Sequence, residues 1–259
     1  MLAAPIMQDE DDATDILLKV AAELVPAMKG TLGPLPDSGW VGPGGDNGAE
    51  LRRLCAALVE RHPEAGRAFA AVRSWTWLTW QPVILGVIAV HGAARVAPIS
   101  AMGQRVGDAE VVGYCIPHEG RGATDTAECI RQSGEELRAL AELLLDELNT
   151  VARMKPVIAF RLLADRLLGT LSHLRHHLPG ADTETVEAYA DAWMSAAGLS
   201  GMSGLKPLEI TGGRFELVLD RKACCLEYLK HDGQLCASCP KLAPNERAAR
   251  MRQAWLDHG

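Results

Sequence analysis

A surplus of basic charge and a membrane-length apolar run are missing from this sequence, and its opening residues give no reason to expect an export leader. Its formal net charge is −7, from 26 Lys and Arg against 33 Asp and Glu. A nucleic-acid binder needs a basic footprint to neutralise phosphates, so no nucleic-acid partner is expected. The same acidity gives no reason to dock on an anionic leaflet. The opening residues, MLAAPIMQDEDDATD, carry acid where an export signal carries base, and their apolar run is short. The longest apolar stretch, Trp75 to Val90, contains Gln81 and Pro82 and falls short of a spanning length. It is expected as a buried helix, and no integral membrane segment is expected. A cytoplasmic location follows as the expectation, with peripheral attachment at the inner face of the membrane left open. In that reducing compartment disulfides rarely persist.

Familiar catalytic signatures are missing too. No G-x-S-x-G, H-E-x-x-H or Gly-rich Rossmann turn occurs. The Gly/Pro-rich segment Gly30 to Gly48 lacks G-K-[ST], and no strand leads into it, so it is expected as a long surface loop. His173, His176 and His177 stand at i, i+3, i+4, but no carboxylate follows at an obvious ligand spacing. They are expected as a helix C-terminus, where the dipole favours imidazolium. There is no internal repeat.

What is present is a globular chain of 259 residues, 48% hydrophobic and 23% charged, long enough to bury a sizeable core. Helical periodicity covers Asp11 to Lys29, Leu51 to Arg61 and Ala68 to Val90. Trp75, Trp77 and Trp80 in the last of these are expected in the core, with an aromatic wall for a ligand as the alternative. VAPIS and EVVGYCIP, separated by Gly107-Asp108, predict two short strands. Ser133 with Glu136 forms a capping box for a helix whose buried face is Leu137, Leu140, Ala141, Leu144, Leu145 and Leu148. Val157 to Leu178 predicts a central helix, and Asp182 caps another. LEI, RFELVLD and CCLEYL then predict an antiparallel meander before a last helix, Asn245 to Asp257. The expected fold is therefore α+β, mainly α. A helical body, residues 1–200 with a β insertion near 95–117, precedes a small β region and cysteine-bearing segment, 201–259, packed with it as one unit.

Cysteine is the residue whose distribution matters most. Of seven, Cys55, Cys115 and Cys129 are isolated and expected as small buried hydrophobes. The other four form C-C-x10-C-x2-C-P: Cys224, Cys225, Cys236, Cys239 and Pro240. Cys236-Ala-Ser-Cys239 is a two-thiolate chelate whose small central residues permit a tight turn. His231-Asp232-Gly233 is a turn that folds the second pair back toward the first. The vicinal pair must leave regular strand geometry for both thiols to serve one site. Structural zinc prefers two spaced pairs, which makes adjacent ligands awkward. A dithiol redox site prefers C-x-x-C near a βαβ pattern, which is absent. Disulfides conflict with the expected compartment. An iron–sulfur cluster distributes its ligands over several irons and tolerates unusual spacing, so it is favoured, with zinc and the other readings still open.

The quartet resembles the C-terminal signature of FhuF-type siderophore-iron reductases over these sixteen residues. The resemblance implies a [2Fe–2S] cluster on Cys224, Cys225, Cys236 and Cys239, and one-electron reduction of a ferric siderophore, of hydroxamate type, to release Fe(II). With no flavin or nicotinamide motif, electrons are expected from a donor protein or an external reductant. Arg221 and Lys222, just before the pair, are candidates to offset thiolate charge or attract an anionic chelate, and Lys230, His231 and Lys241 are weaker ones. The alternative function is a zinc-stabilised binding or assembly protein without redox activity.

Overall fold

Helix α3 (Gly66–Ala93) is the spine of the computed structural model, which describes residues 10–117, 121–122, 125–174 and 182–258. It is apolar on nearly every side because α1 (Glu10–Leu24), α2 (Asn47–Arg61), α4 (Thr126–Val151) and α5 (Pro156–Leu174) all pack on it. Trp75 and Trp80 are buried there, the Trp75 indole N–H donating to the Ala159 carbonyl at 2.8 Å. The two polar breaks in the apolar run tie α3 to a sheet. Pro82 removes the N–H that would bond the Leu78 carbonyl, and Gln104 Nε2 donates to that carbonyl instead, at 2.8 Å. Gln81, fully buried, accepts from the Gly113 N–H at 2.8 Å and donates to the Gly113 carbonyl at 3.3 Å.

That sheet combines β1 (Gly30–Leu32), β2 (Trp40–Val41), β4 (Gly103–Val106) and β5 (Val111–Ile116) in the order β1-β5-β4-β2. Strand β1 runs parallel to β5; the other pairs are antiparallel. A separate short ladder joins β3 (Arg95–Val96) to β6 (Arg121–Gly122). The segment 30–48 is therefore not all loop, since it supplies both edges of the larger sheet. The strand predicted at VAPIS is also corrected. Only Val96 lies in β3, Pro98 cannot donate to a ladder, and Ile99–Ala101 forms a 3-10 turn. The strand that pairs with β5 is the next segment.

Helix boundaries moved for local reasons. Pro26 follows the end of α1 at Leu24, where a helix to Lys29 was expected. Helix α4 starts well before Ser133: Asp125 is its cap, the carboxylate accepting from the Glu128 N–H at 2.8 Å. Ser133 is buried mid-helix, its hydroxyl without a partner among the described residues. The leucine face is as expected, with Leu137, Leu140, Ala141, Leu144, Leu145 and Leu148 all buried. Asp182 caps α6 (Thr183–Ala196) by accepting from the Thr185 N–H at 2.8 Å. His176 and His177 lie outside the described residues.

Strands β7 (Leu205–Thr211) and β8 (Arg214–Leu219) form a hairpin, with β8 on α5 and α7 (Pro244–His258) against β7. The meander stops there. CCLEYL is not a third strand: the chain leaves the sheet at Asp220 and runs irregularly into a 3-10 turn, Glu227–Leu229. The fold is α+β and mainly α. Among the described residues no helix is long and apolar enough to cross a membrane.

Candidate metal centre and its flanking clefts

The vicinal cysteines sit just beyond the end of β8, so strand alternation no longer dictates where they point. Leu226 follows at φ +61°, a left-handed conformation that costs a non-glycine residue about 1–2 kcal/mol. In this reversal the N–H groups of Leu226 and Glu227 come near enough to the Cys224 and Cys225 sulfurs to favour their ionised forms. Downstream, Cys236 to Cys239 closes as the expected tight turn, the Cys239 N–H donating to the Cys236 carbonyl at 3.0 Å. Gly233 lets the two halves meet. A Cβ there would stand 2.4 Å from the Glu227 carbonyl oxygen and 2.8 Å from the Tyr228 carbonyl carbon. The loop is tethered to the helical body where the His231 N–H donates to Glu64 Oε1 at 2.8 Å.

The four sulfurs pair crosswise. Cys224 Sγ lies 3.8 Å from Cys239 Sγ, and Cys225 and Cys236 are near enough for each to be the largest influence on the other's pKa. The first cysteine of the motif thus meets the fourth, and the second meets the third. All seven cysteines are free thiols, and 3.8 Å is far beyond a disulfide bond of about 2 Å. It matches the spacing at which two thiolates, each about 2.3 Å from a shared metal, would stand, about 3.8 Å. Among the described residues, no three His, Cys, Asp or Glu side chains converge on one point that could hold a single metal ion. The sulfurs are grouped instead as two pairs, Cys224 with Cys239 and Cys225 with Cys236.

Electrostatics favour ionised sulfur on one edge. The Cys236 thiol donates to Cys225, and together with the Glu227 N–H and the Arg221 guanidinium this pulls Cys225 down to about 5 against the opposing effect of burial. The partner is pushed the other way, Cys236 being raised by that same hydrogen bond and by burial. The pair therefore releases one proton readily and holds the second. Burial raises the Cys224 thiol, with the Leu226 N–H opposing it.

Arg221 is the central cation. Its Nη1 approaches Cys236 Sγ at 3.4 Å while its Nε donates to Asp165 Oδ2 at 2.9 Å. Asp165 also accepts from the Ser203 hydroxyl at 2.6 Å. Arg247 on α7 and Lys206 on β7 both hold Asp220, next to Arg221, at 2.9 and 3.1 Å. Lys222 does not join the centre: its ammonium donates to the Gly201 carbonyl at 2.8 Å. Lys241 lies over the Tyr228 ring at 5.2 Å, and Lys230 pairs with Glu227. Asp165 and its neighbour Arg166 were not anticipated from the sequence. The available signal was an adjacent acid and base in the middle of a mostly apolar helix.

Two clefts flank the sulfurs. One, of about 500 Å³ between α3, α5, β8 and the cysteine loop, is lined by Arg73, Asp165, Arg166, Arg221, Cys225 and Glu227, among others. The second, of about 740 Å³, is bounded by Leu217, Val218, Cys236, Met251, Ala254 and Trp255, among others. Gly169, His173 and Leu219 belong to both. None of Trp75, Trp77 and Trp80 lines either cleft, so the aromatic wall is not realised there; Trp77 instead carries the Arg73 guanidinium 4.6 Å above its ring. Neither a protein-family model nor a solved structure matches this chain, which leaves its own residues as the guide to its chemistry.

Proposed function

We propose that this chain is an iron–sulfur oxidoreductase, a ferric-siderophore reductase of the FhuF type, with a [2Fe–2S] cluster on Cys224, Cys225, Cys236 and Cys239. The observation that carries this reading is the crosswise pairing of the sulfurs: Cys224 and Cys239 would hold one iron, Cys225 and Cys236 the other. A mononuclear zinc site needs four ligands around one point, whereas two separate dithiol edges suit two metals. When bound, such a cluster supplies one electron to Fe(III) held by hard oxygen donors, and those donors hold the resulting Fe(II) much more weakly.

The chain's own residues prepare the centre. The Leu226 and Glu227 N–H groups and the Arg221 guanidinium offset thiolate charge that half-buried sulfurs would otherwise carry uncompensated. Asp165 fixes the orientation of that guanidinium from the α5 side. Cys225 and Cys236 each line a cleft, so a chelate can approach without the fold opening. Electrons reach the centre from a donor protein or an external reductant.

The test is metal and sulfide analysis of protein purified without oxygen. The expected result is a reddish protein with about two irons and two acid-labile sulfides per chain, bleaching on reduction. Once reduced, it should deliver Fe(II) from a ferric hydroxamate to a ferrous chelator, and Cys236→Ser protein should not. Colourless protein with one zinc per chain would refute the reading.

A further inference from the structure

Three arginines line the cleft beside Cys225, and two of them are engaged. Arg221 is held by Asp165 at 2.9 Å, and Arg73 faces Glu227 at 3.7 Å while stacking on Trp77. Arg166 makes no side-chain hydrogen bond or ion pair with any described residue. The two carboxylates of the cleft are therefore committed to the other two guanidiniums. Arg166 is exposed to solvent, yet the surrounding protein, together with the like charges of Arg73 and Arg221, pushes its pKa below the ordinary arginine value. Accessible to solvent but hemmed in by protein is the situation of a side chain that lines a cleft. A planar guanidinium presents a fork of donors that matches carboxylate or phosphate oxygens two at a time. At about 500 Å³ the cleft falls within the usual range for small-ligand sites.

We infer that Arg166, flanked by Arg73, binds an anionic group of the incoming ferric chelate. The substrate class is then a siderophore complex that bears net negative charge or a free carboxylate, not a neutral or cationic one. This identification of the ligand rests on the reductase reading; the anion site itself does not. A plain tris-hydroxamate complex of Fe(III) is neutral and offers Arg166 nothing to pair with, whereas a hydroxamate siderophore carrying a carboxylate does. Taking up one electron makes the bound complex one unit more negative, so the same guanidinium holds the reduced complex more firmly than the oxidised one.

Gallium(III) complexes separate binding from turnover, because Ga(III) takes Fe(III) ligands but accepts no electron under these conditions. Titration calorimetry would compare Ga(III)–EDTA, charge −1, with neutral Ga(III)–tris(acetohydroxamate), on protein as purified with iron and sulfide assayed on the same sample. The expected result is at least tenfold tighter binding of the anionic complex. In Arg166→Gln that preference should fall about tenfold, with partial retention in Arg166→Lys. Circular dichroism should show an intact fold, since no intramolecular bond is lost. Equal affinity for the two complexes would overturn the inference. So would an unchanged preference in Arg166→Gln accompanied by a lower cluster potential, which would make Arg166 a counter-ion of the centre. Cluster-free protein that keeps the anion preference upholds this site and sinks the reductase; cluster-loaded protein without the preference does the reverse.

Discussion

Replacing Asp165 by Asn and Arg221 by Met, singly and together, separates what this ion pair does for the fold from what it does for the sulfurs. The side chains are 5% and 13% exposed and meet at 2.9 Å, so neither charge is screened by water. Removing one partner of a buried pair costs about 3–5 kcal/mol, because the survivor is left charged without compensation. Asp165→Asn should lie at the low end, about 3 kcal/mol, since Arg221 still faces the thiols of the cysteine centre. Arg221→Met leaves a carboxyl whose pKa burial already raises, and losing the guanidinium raises it further. A raised pKa makes that carboxyl easier to protonate, which again limits the cost to about 3 kcal/mol. The sign follows: with a folded pKa above the unfolded one, Arg221→Met protein is most stable in acid and loses stability as pH rises through the raised value. The double variant removes both charges and should cost only about 3 kcal/mol, which leaves a coupling of about 3 kcal/mol. Anaerobic urea titration at neutral pH measures all four corners of this cycle. A second readout isolates the centre. A unit charge about 6 Å from an added electron, at an effective dielectric of about 20, is worth about 3 kcal/mol, or roughly 100 mV for one electron. Arg221→Met should therefore lower the reduction potential by about 50–100 mV after screening, while Asp165→Asn should not lower it. Additive single costs would refute the pairing, and an unmoved potential in Arg221→Met would refute the role of its contact with Cys236.

Serine replacement tests the crosswise arrangement. Cys224→Ser and Cys239→Ser, which alter the same edge, should give one shared change in the visible and electron paramagnetic resonance spectra, and Cys225→Ser with Cys236→Ser another; grouping by sequence neighbours instead would refute the pairing. His91 supplies a pH dependence away from the centre: burial lowers it to about 4, and its Nε2 accepts from the Trp193 indole at 3.0 Å. With the folded pKa below the unfolded value, its stabilising contribution is complete above about pH 6.5 and declines as pH falls toward 4, by up to about 3 kcal/mol. Denaturant midpoints measured from pH 7 to 4.5 should fall more steeply in the parent than in His91→Gln, and parallel profiles would contradict the assignment.

Legibility from sequence followed the range of the interactions. Helix faces were readable because their signal lies within a few turns, and the leucines of α4 are buried as the spacing implies. Caps were readable only where no rival cap stood nearby: Asp182 does cap its helix, whereas Asp125 takes the place assigned to Ser133. CCLEYL has the composition of a strand, but alternation would send two adjacent thiols to opposite faces, away from a common centre. The left-handed Leu226 that resolves this is invisible in a propensity. Within the quartet the turn at Cys236 was readable, being local. The pairing of first with fourth was not, because it depends on how Gly233 packs against the Glu227–Leu229 turn.

Helix α5 shows why the most informative long-range residues looked least like a motif. Adjacent residues on a helix point about 100° apart, so Asp165 and Arg166, though both line the cleft, have different surroundings. Asp165 turns inward to Ser203 and Arg221, where it is almost fully buried, and Arg166 turns into the cleft, where it is exposed. An apolar helix would accept neither charge without a reason. One has its reason in the chain, 56 residues away at Arg221; the other has no partner in the described chain. A charge whose partner is intramolecular contributes to the fold, and one left open in the cleft that Cys225 also lines is available to a ligand. The asymmetry between two neighbouring residues thus locates the boundary between structure and binding site within a single helical step.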